Sequence, residues 1–250
     1  MRYQQLKSAT FFAAMTEFSE IGEMSVFIDE EQLELLKTHM TERGYLEAHH
    51  MAQVFNMMRE RDLIWSFVVN NYLLGRDPMA FDLLYWNSDA TRMPAKMHQF
   101  YLRNMYLENR LARPGGITLA GVPIDLGKIR IPVYQVSTRE DHIAPWKATY
   151  ALSQMVAGPY QFVLAGSGHI AGVINPPPST KYGYWANDHY PADRDAWLAA
   201  AQHHEGSWWP NWAEWAKSQS SEKVPARMPG AGKLKAIEDA PGSYVKVRIE

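Results

Sequence analysis

Two stretches decide the fold: IPVYQVSTREDHIAPW, residues 131–146, and YQFVLAGSGHIAGV, residues 160–173. Each opens with an apolar run, Ile131–Val136 in the first and Tyr160–Leu164 in the second, and each run continues into a polar turn. Such brief runs are typical of buried parallel strands. An earlier run, Ala9–Met15, has the same character. The sequence therefore predicts an α/β fold.

The region between the first and second strands, about residues 24–115, is predicted to be mostly helical. Its first helix follows Asp29, with acidic residues early, basic residues late and Gly44 as the stop signal. An insertion of this length resembles a lid more than a simple crossover. The other predicted helices are Glu47–Arg59, Asp62–Leu74, Ala95–Ala112, Asp193–His203 and Trp208–Ser218. A tail from residue 219 to residue 250, rich in Pro, Gly, Lys and Ala, is expected to be weakly ordered.

The composition excludes several classes of protein. A formal net charge of −2 and a pI near 6.5 do not indicate nucleic-acid binding. No apolar run approaches the roughly 18 residues of a membrane span, and no signal peptide is visible, so a cytoplasmic protein is expected. Nine tryptophans and thirteen methionines indicate broad apolar surfaces, whether buried, used in oligomers or offered to a lipid-like ligand.

Asp141 and His169 are the candidate chemical groups. Each follows one of the predicted strands, and catalytic groups of open α/β sheets collect at the carboxyl ends of strands. An aspartate bonded to one imidazole nitrogen leaves the other nitrogen as a base. The order acid then histidine fits the last two members of an α/β-hydrolase triad. The alternative is that Asp141 caps a helix and His169 is an ordinary loop residue.

A nucleophile is missing from this pattern. The elbow of an α/β-hydrolase needs Gly-x-Ser-x-Gly or its cysteine version. The one pair of glycines at that spacing, Gly168 and Gly172, has Ile170 between them, and the sequence contains no cysteine. Disulfides and thiolate metal sites within these 250 residues are thereby excluded as well.

Five long motifs stand out in the sequence. They are SATFFAAMTEFSEIGEMSVFIDEEQ from residue 8, LIWSFVVNNYLLGRDPMAFDLLYWNSDATRMP from 63, STREDHIAPW from 137, GSGHIAGVINPP from 166 and HHEGSWWPNW from 203. Together they resemble the polyhydroxyalkanoate synthases, the polymerases of bacterial storage polyesters, and are nearer to the class I enzymes, which use short-chain monomers. The resemblance runs from about Ser8 to the C-terminus.

The resemblance implies a role for each candidate residue. In this family a cysteine thiolate attacks the thioester of a 3-hydroxyacyl-CoA, a histidine acts as base and an aspartate orients it. His169 and Asp141 match those two residues. The chain would then be the C-terminal portion of an α/β-hydrolase fold with a lid, residues 1–218, that begins after the cysteine's elbow. We expect no polymer from these residues alone. CoA thioester is the substrate, and no cofactor is expected.

The resemblance also implies partners. A homodimer, or a complementing N-terminal segment, would complete the enzyme, and the polyester granule surface would hold it. Two alternatives remain open from the sequence. One is a non-catalytic granule-associated or oligomerisation protein derived from a synthase. The other, a serine hydrolase or depolymerase, is disfavoured by the missing elbow.

Several further residues are weaker candidates. His142 could line the same cleft as Asp141 and bind substrate, although such a neighbour more often packs or caps. Trp208, Trp209, Trp212 and Trp215 have helical spacing, which favours one buried face over a polymer track.

Other candidates fall in the helical regions. Trp86, Asn87 and Asp89 are plausible lid or interface residues. His49–His50 and His203–His204 are adjacent pairs, which are expected to point apart on a helix, so no metal site is predicted.

Overall fold

The structure is a computed structural model that describes residues 6–78, 91–220 and 222–247. The chain forms two compact units. One contains residues 1–44 and 94–219, and the other contains residues 45–93 and 220–250. The predicted lid boundaries at about 24 and 115 stay a prediction, as does the tail from residue 219.

The first unit is built on a mixed, mostly parallel sheet of five strands. In chain order they are β1 (Ala9–Phe12), β2 (Val133–Thr138), β3 (Tyr160–Ala165), β4 (Tyr184–Ala186) and β5 (Gln202–His204). They lie side by side in that same order. The pairs β1–β2 and β2–β3 are parallel, whereas β3–β4 and β4–β5 are antiparallel. The predicted mixture of helix and parallel strand is confirmed.

All six residues of β2 are buried, as expected of a strand covered on both faces. This strand extends two residues beyond the predicted run and includes buried polar side chains. The Gln135 amide donates to the carbonyl oxygens of Ala14 and Thr149 and accepts from the Tyr160 hydroxyl at 2.7 Å. Burial raises the pKa of Tyr160 well above its usual value, so this hydroxyl stays a donor. Satisfied in this way, a polar residue is tolerated at the centre of the sheet.

Strands β4 and β5 were missed by the sequence analysis. Residues 202–204 were assigned in part to a helix ending at His203, but that helix ends at Ala200 and the chain then pairs with β4. The three-residue strands are too short to show a period. Here pairing to β4 overrides local propensity.

Seven α-helices lie in the described residues. They are α1 (Glu30–Arg43), α2 (Ala48–Met58), α3 (Ala95–Tyr101), α4 (Trp146–Tyr150), α5 (Ala171–Ile174), α6 (Arg194–Ala200) and α7 (Trp209–Ser218). The predicted ends of α1 are confirmed: the Asp29 carboxylate accepts from the Gln32 amide at 2.8 Å, and Gly44 ends the helix at φ 82°.

Two aromatic clusters cover the sheet of the first unit. Phe162 and Leu164 pack with residues of α4 and α6, while Val163 and Ala165 belong to the cluster that contains Trp208. Neighbouring residues of a strand point to opposite faces, so the two clusters lie on opposite sides of β3. Trp209, Trp212 and Trp215 pack on the cluster that contains Trp208, as their helical spacing predicts, although they are only partly buried.

The second unit contains α2 and two wider π-helical turns, Arg61–Trp65 and Val68–Leu73. They replace the single helix that was predicted from Asp62 to Leu74. Several large apolar side chains are exposed here, among them Tyr72, Leu73, Leu234 and Ile237.

The described residues also form several short elements. They are the two-residue strands Tyr45–Leu46, Met93–Pro94, Thr118–Leu119 and Val122–Pro123, the 3-10 helices Gly22–Phe27, Leu126–Lys128, Ala151–Gln154 and Tyr244–Lys246, and the π-helix Leu102–Leu107. In the described part of the chain, no helix combines the length and the hydropathy that crossing a bilayer requires.

Candidate active site

Asp141 and His169 occupy neighbouring loops at one edge of the sheet. Asp141 comes three residues after β2, and His169 comes four residues after β3. Because β2 and β3 are adjacent and parallel, both loops leave the sheet at the same end. The structure brings the two side chains together, with Asp141 Oδ2 lying 2.7 Å from His169 Nδ1.

Both oxygens of the Asp141 carboxylate are engaged. Oδ1 accepts from the backbone amides of Ile143 and Ala144 at 2.9 and 2.8 Å. Oδ2 accepts from the Thr138 hydroxyl at 3.2 Å and faces the His169 ring. The carboxylate thus closes its own turn and holds the imidazole as well. Asp141 does not cap a helix, because the N-cap of the helix Trp146–Tyr150 is Pro145 and no side chain bonds that helix end. The contact with the histidine is present.

The backbone ties the two loops together. Beyond the last paired residues of β2 and β3, the Arg139 amide donates to the Ala165 carbonyl at 2.9 Å. The Glu140 amide then donates to the Ser167 carbonyl at 3.0 Å. Ser167 adopts φ 73°, a left-handed conformation that few residues other than glycine take. The strained turn places its carbonyl where the aspartate loop can reach it.

The pair differs sharply in solvent access. The Asp141 side chain is fully buried, whereas 34% of the His169 side chain is exposed. Among the described residues, His169 Nε2 has no hydrogen-bonding partner. A neutral imidazole with Nδ1–H directed at the carboxylate presents a free lone pair at Nε2. This arrangement can accept a proton from a nucleophile and return it to a leaving group.

His142 lies next to Asp141 and is half-buried. Both of its ring nitrogens are shielded from solvent. A role in substrate binding stays a prediction. Trp86, Asn87 and Asp89 lie outside the described residues.

The prediction that the side chains of His49 and His50 point apart is wrong. Their ring centroids lie 3.9 Å apart, and His49 Nδ1 is 3.3 Å from a carboxylate oxygen of Glu47. One potential ligand atom from each of these three residues lies within 4.8 Å of the others. His203 and His204 also differ from expectation, since they lie on β5, where His204 stacks on Tyr184 and the His203 ring lies tilted against Trp185. The absence of a metal site stays a prediction.

Thr138 is a member of the site that the sequence analysis missed. A hydroxyl residue three positions before the aspartate, in Thr-Arg-Glu-Asp, is the signal that could have found it. Side chains of Ser, Thr, Asn and Asp often bond within such short turns.

A cavity of about 300 Å³ lies elsewhere in the first unit, between α1 and α3. Its lining includes Met40, Phe100 and Arg103, but neither Asp141 nor His169. It is therefore a separate feature from the candidate active site.

Comparison with known proteins gives a consistent result. The poly(3-hydroxyalkanoate) polymerase subunit PhaC of Rhizobium meliloti is 50% identical over 245 residues, which is 98% of this chain and 40% of that protein. The poly(3-hydroxyalkanoate) polymerase of Methylorubrum extorquens is 50% identical over 246 residues, again 98% and 40%. The subunit PhaC of Cupriavidus necator is 43% identical over 248 residues, 96% of this chain and 42% of the relative.

No protein-family model matches the chain. The chain spans about two-fifths of the length of the curated relatives it matches. Identity of this level over nearly the whole chain does not arise by chance, and it agrees with the resemblance seen in the five motifs. By its sequence, the chain belongs to the poly(3-hydroxyalkanoate) polymerase family, of which it matches a part.

Proposed function

We propose that this chain supplies the acid and the base of a Cys-Asp-His triad in a poly(3-hydroxyalkanoate) polymerase. The reaction is acyl transfer from (R)-3-hydroxyacyl-CoA to a growing polyester, with release of CoA. The observation that carries the proposal is the 2.7 Å contact between the buried Asp141 carboxylate and the half-exposed His169 ring. The names of the relatives supply the reaction.

The first half-reaction transfers the acyl group to a cysteine outside these 250 residues. His169 Nε2 takes the thiol proton, and the thiolate attacks the thioester carbonyl. The C–S bond to CoA breaks, and the imidazolium returns its proton to the departing CoA thiolate. The buried Asp141 carboxylate stabilises the imidazolium and holds its Nδ1–H.

The second half-reaction forms the ester bond. His169 removes the proton of the 3-hydroxyl of the next monomer or of the chain end. The resulting alkoxide attacks the acyl-cysteine, the new C–O bond forms, and the protein thiolate leaves and is reprotonated. One histidine thus serves both halves, which requires a single fixed ring orientation.

The proposed fold is the C-terminal portion of an α/β-hydrolase with a helical lid. The parallel strands β1, β2 and β3, with the aspartate after β2 and the histidine after β3, support this assignment. The helices and wide turns of residues 24–115 would form the lid.

The proposed partners are a second copy or a complementing segment, together with the surface of a cytoplasmic polyester granule. Strand β1 pairs only with β2 among the described residues, so one of its edges is available for a further strand. The exposed apolar side chains of the second unit, such as Trp65, Tyr72 and Leu73, suit a contact with a partner or a granule surface.

A chimera tests the proposal. This chain would replace the matching 40% of the Rhizobium meliloti relative, which leaves the relative's own remaining sequence in place. We expect the chimera to release CoA from 3-hydroxybutyryl-CoA and to form polymer, and the isolated 250-residue chain to do neither. A folded chimera that releases no CoA would contradict the proposal, as would turnover by the isolated chain.

A second candidate is a non-catalytic, self-associating granule protein, which the absence of cysteine favours. It predicts that the isolated chain forms stable oligomers and binds polyester particles without a complementing segment. CoA release by the chimera distinguishes the two, because the non-catalytic candidate predicts none.

A further inference from the structure

Thr138 reaches the same carboxylate oxygen as His169. It is the last residue of β2, it is completely buried, and its hydroxyl donates to Asp141 Oδ2 at 3.2 Å. A carboxylate oxygen can accept from both groups at once. With Oδ1 held by two backbone amides, the Thr138 hydroxyl is what restrains the oxygen that faces the imidazole.

Gly172 lies against the other side of Thr138. A Cβ atom at position 172 would lie 2.5 Å from Thr138 Cγ2 and 2.5 Å from the Gly166 carbonyl oxygen. Neither neighbour is the free end of a flexible side chain, so one of them would have to move. Glycine is therefore required here for close packing, and it allows α5 to approach the end of β2.

Trp208 fixes the position of Gly172. Its indole N–H donates to the Gly172 carbonyl at 3.0 Å and to the Val173 carbonyl at 3.2 Å. The tryptophan itself is 1% exposed and packs with Tyr134 and Val136 of β2. Helix α5, which begins two residues after His169, is thereby tied to the core that β2 helps to form.

We propose that Thr138 is a positioning residue for the Asp141–His169 pair, and that Gly172, held by Trp208, sets its place. The proposal deepens the proposed function, because it concerns how the acid and base of that reaction are oriented. Thr138 does not touch substrate. It acts by preventing the carboxylate from turning away from Nδ1, so that the neutral ring keeps its proton on Nδ1 and its lone pair on Nε2.

The tautomer of His169 in the complete 250-residue chain tests this directly. Two-bond ¹H–¹⁵N correlation spectra at alkaline pH, where histidine rings are neutral, report the ratio of the two tautomers. The His169 signal is identified by its loss in His169→Gln. In the parent chain we expect the Nδ1–H form to dominate.

Three variants distinguish the effect of losing the Thr138 hydroxyl from the effect of displacing it. Thr138→Val keeps the shape of the side chain but loses the hydrogen-bond donor. We expect the ratio of the Nδ1–H tautomer to the Nε2–H tautomer to fall about three- to tenfold, the equivalent of one ordinary hydrogen bond. Thr138→Ser keeps the donor and should stay within about twofold of the parent. Gly172→Ala keeps the hydroxyl but displaces it, and should resemble Thr138→Val.

Thermal melts of the same samples show whether an effect is only structural. A lower melting temperature for Thr138→Val with an unchanged tautomer ratio would overturn the proposal, and this holds even where Gly172→Ala does not fold. Trp208→Phe should lower the tautomer ratio. An unchanged ratio would show that Trp208 does not help to position Thr138. A parent chain without an Nδ1–H preference would instead overturn the Asp141–His169 pair, and the proposed function with it.

Discussion

Asp141 Oδ2 lies 2.7 Å from His169 Nδ1 although 28 residues separate them in the chain. The parallel pairing of β2 and β3 produces this contact, and two backbone bonds between the loops extend the pairing to the site. The two groups are thus held by the sheet rather than by flexible segments, which is the condition for a preorganised acid–base pair.

Replacing the carboxylate should abolish most turnover. In the active chimera, we expect Asp141→Asn to lower kcat by about 10⁴ with little change in KM, because an amide favours the wrong histidine tautomer. CoA release measures both constants. Asp195→Asn is the matched control, since Asp195 is exposed and pairs with Lys147. An Asp141→Asn chimera that keeps a tenth of the parent kcat would refute the role.

The two phenylalanines Phe162 and Phe12 should differ in their effect on stability. Phe162 is fully buried against Tyr150 and Trp197, and its replacement by alanine should cost about 3–5 kcal/mol of unfolding free energy. Phe12 on the edge strand is 46% exposed, so Phe12→Ala should cost clearly less. Urea titrations followed by tryptophan fluorescence give both values. Equal costs would show that the core around Phe162 is not packed as described.

The strained turn before His169 should discriminate among substitutions at Ser167. Valine is β-branched and disfavours φ 73°, so Ser167→Val should lose about 1–2 kcal/mol of stability. Glycine accepts this conformation, so the Ser167→Gly variant should be more stable than the Ser167→Val variant by about 1–2 kcal/mol. Chemical denaturation of the two variants beside the parent provides the comparison. Equal stability of the two variants would be inconsistent with the left-handed turn.

The cap of α1 should make a pH-dependent contribution. The hydrogen bond from the Gln32 amide lowers the pKa of Asp29 below 3.8. A depressed pKa means that the stabilisation is present above pH 3.8 and is lost as the pH falls through the folded-state value. Asp29→Ala should therefore have a lower urea midpoint than the parent at pH 7, and the difference should shrink as the pH falls below 3.8.

Asp29→Asn is the control for this effect. Asparagine keeps the capping oxygen but cannot titrate, so its advantage over alanine should not change across the same pH range. A gap between parent and Asp29→Ala that is constant down to the lowest pH would contradict the lowered pKa of Asp29.

Much of the fold could be predicted from local pattern. The runs that form β1, β2 and β3, the ends of α1 and the packed tryptophan face of α7 are encoded by neighbouring residues, through apolar periodicity, capping and stop signals. Strands β4 and β5 could not be predicted, because three residues show no period and their conformation depends on partners elsewhere in the chain.

The sequence by itself determined the family, the absence of a cysteine, and the choice of Asp141 and His169 as candidates. The motifs and the order of the residues are properties of the sequence itself and do not depend on the tertiary structure. Only the tertiary structure decided how the pair is held. The Thr138 hydroxyl bonds the same carboxylate oxygen as His169, Gly172 packs against Thr138, and Trp208 donates to the Gly172 carbonyl. The spacing of Thr138 and Asp141 is local, but the contacts of Gly172 with Thr138 and Trp208 join separate elements, and such packing leaves no local signal in the sequence.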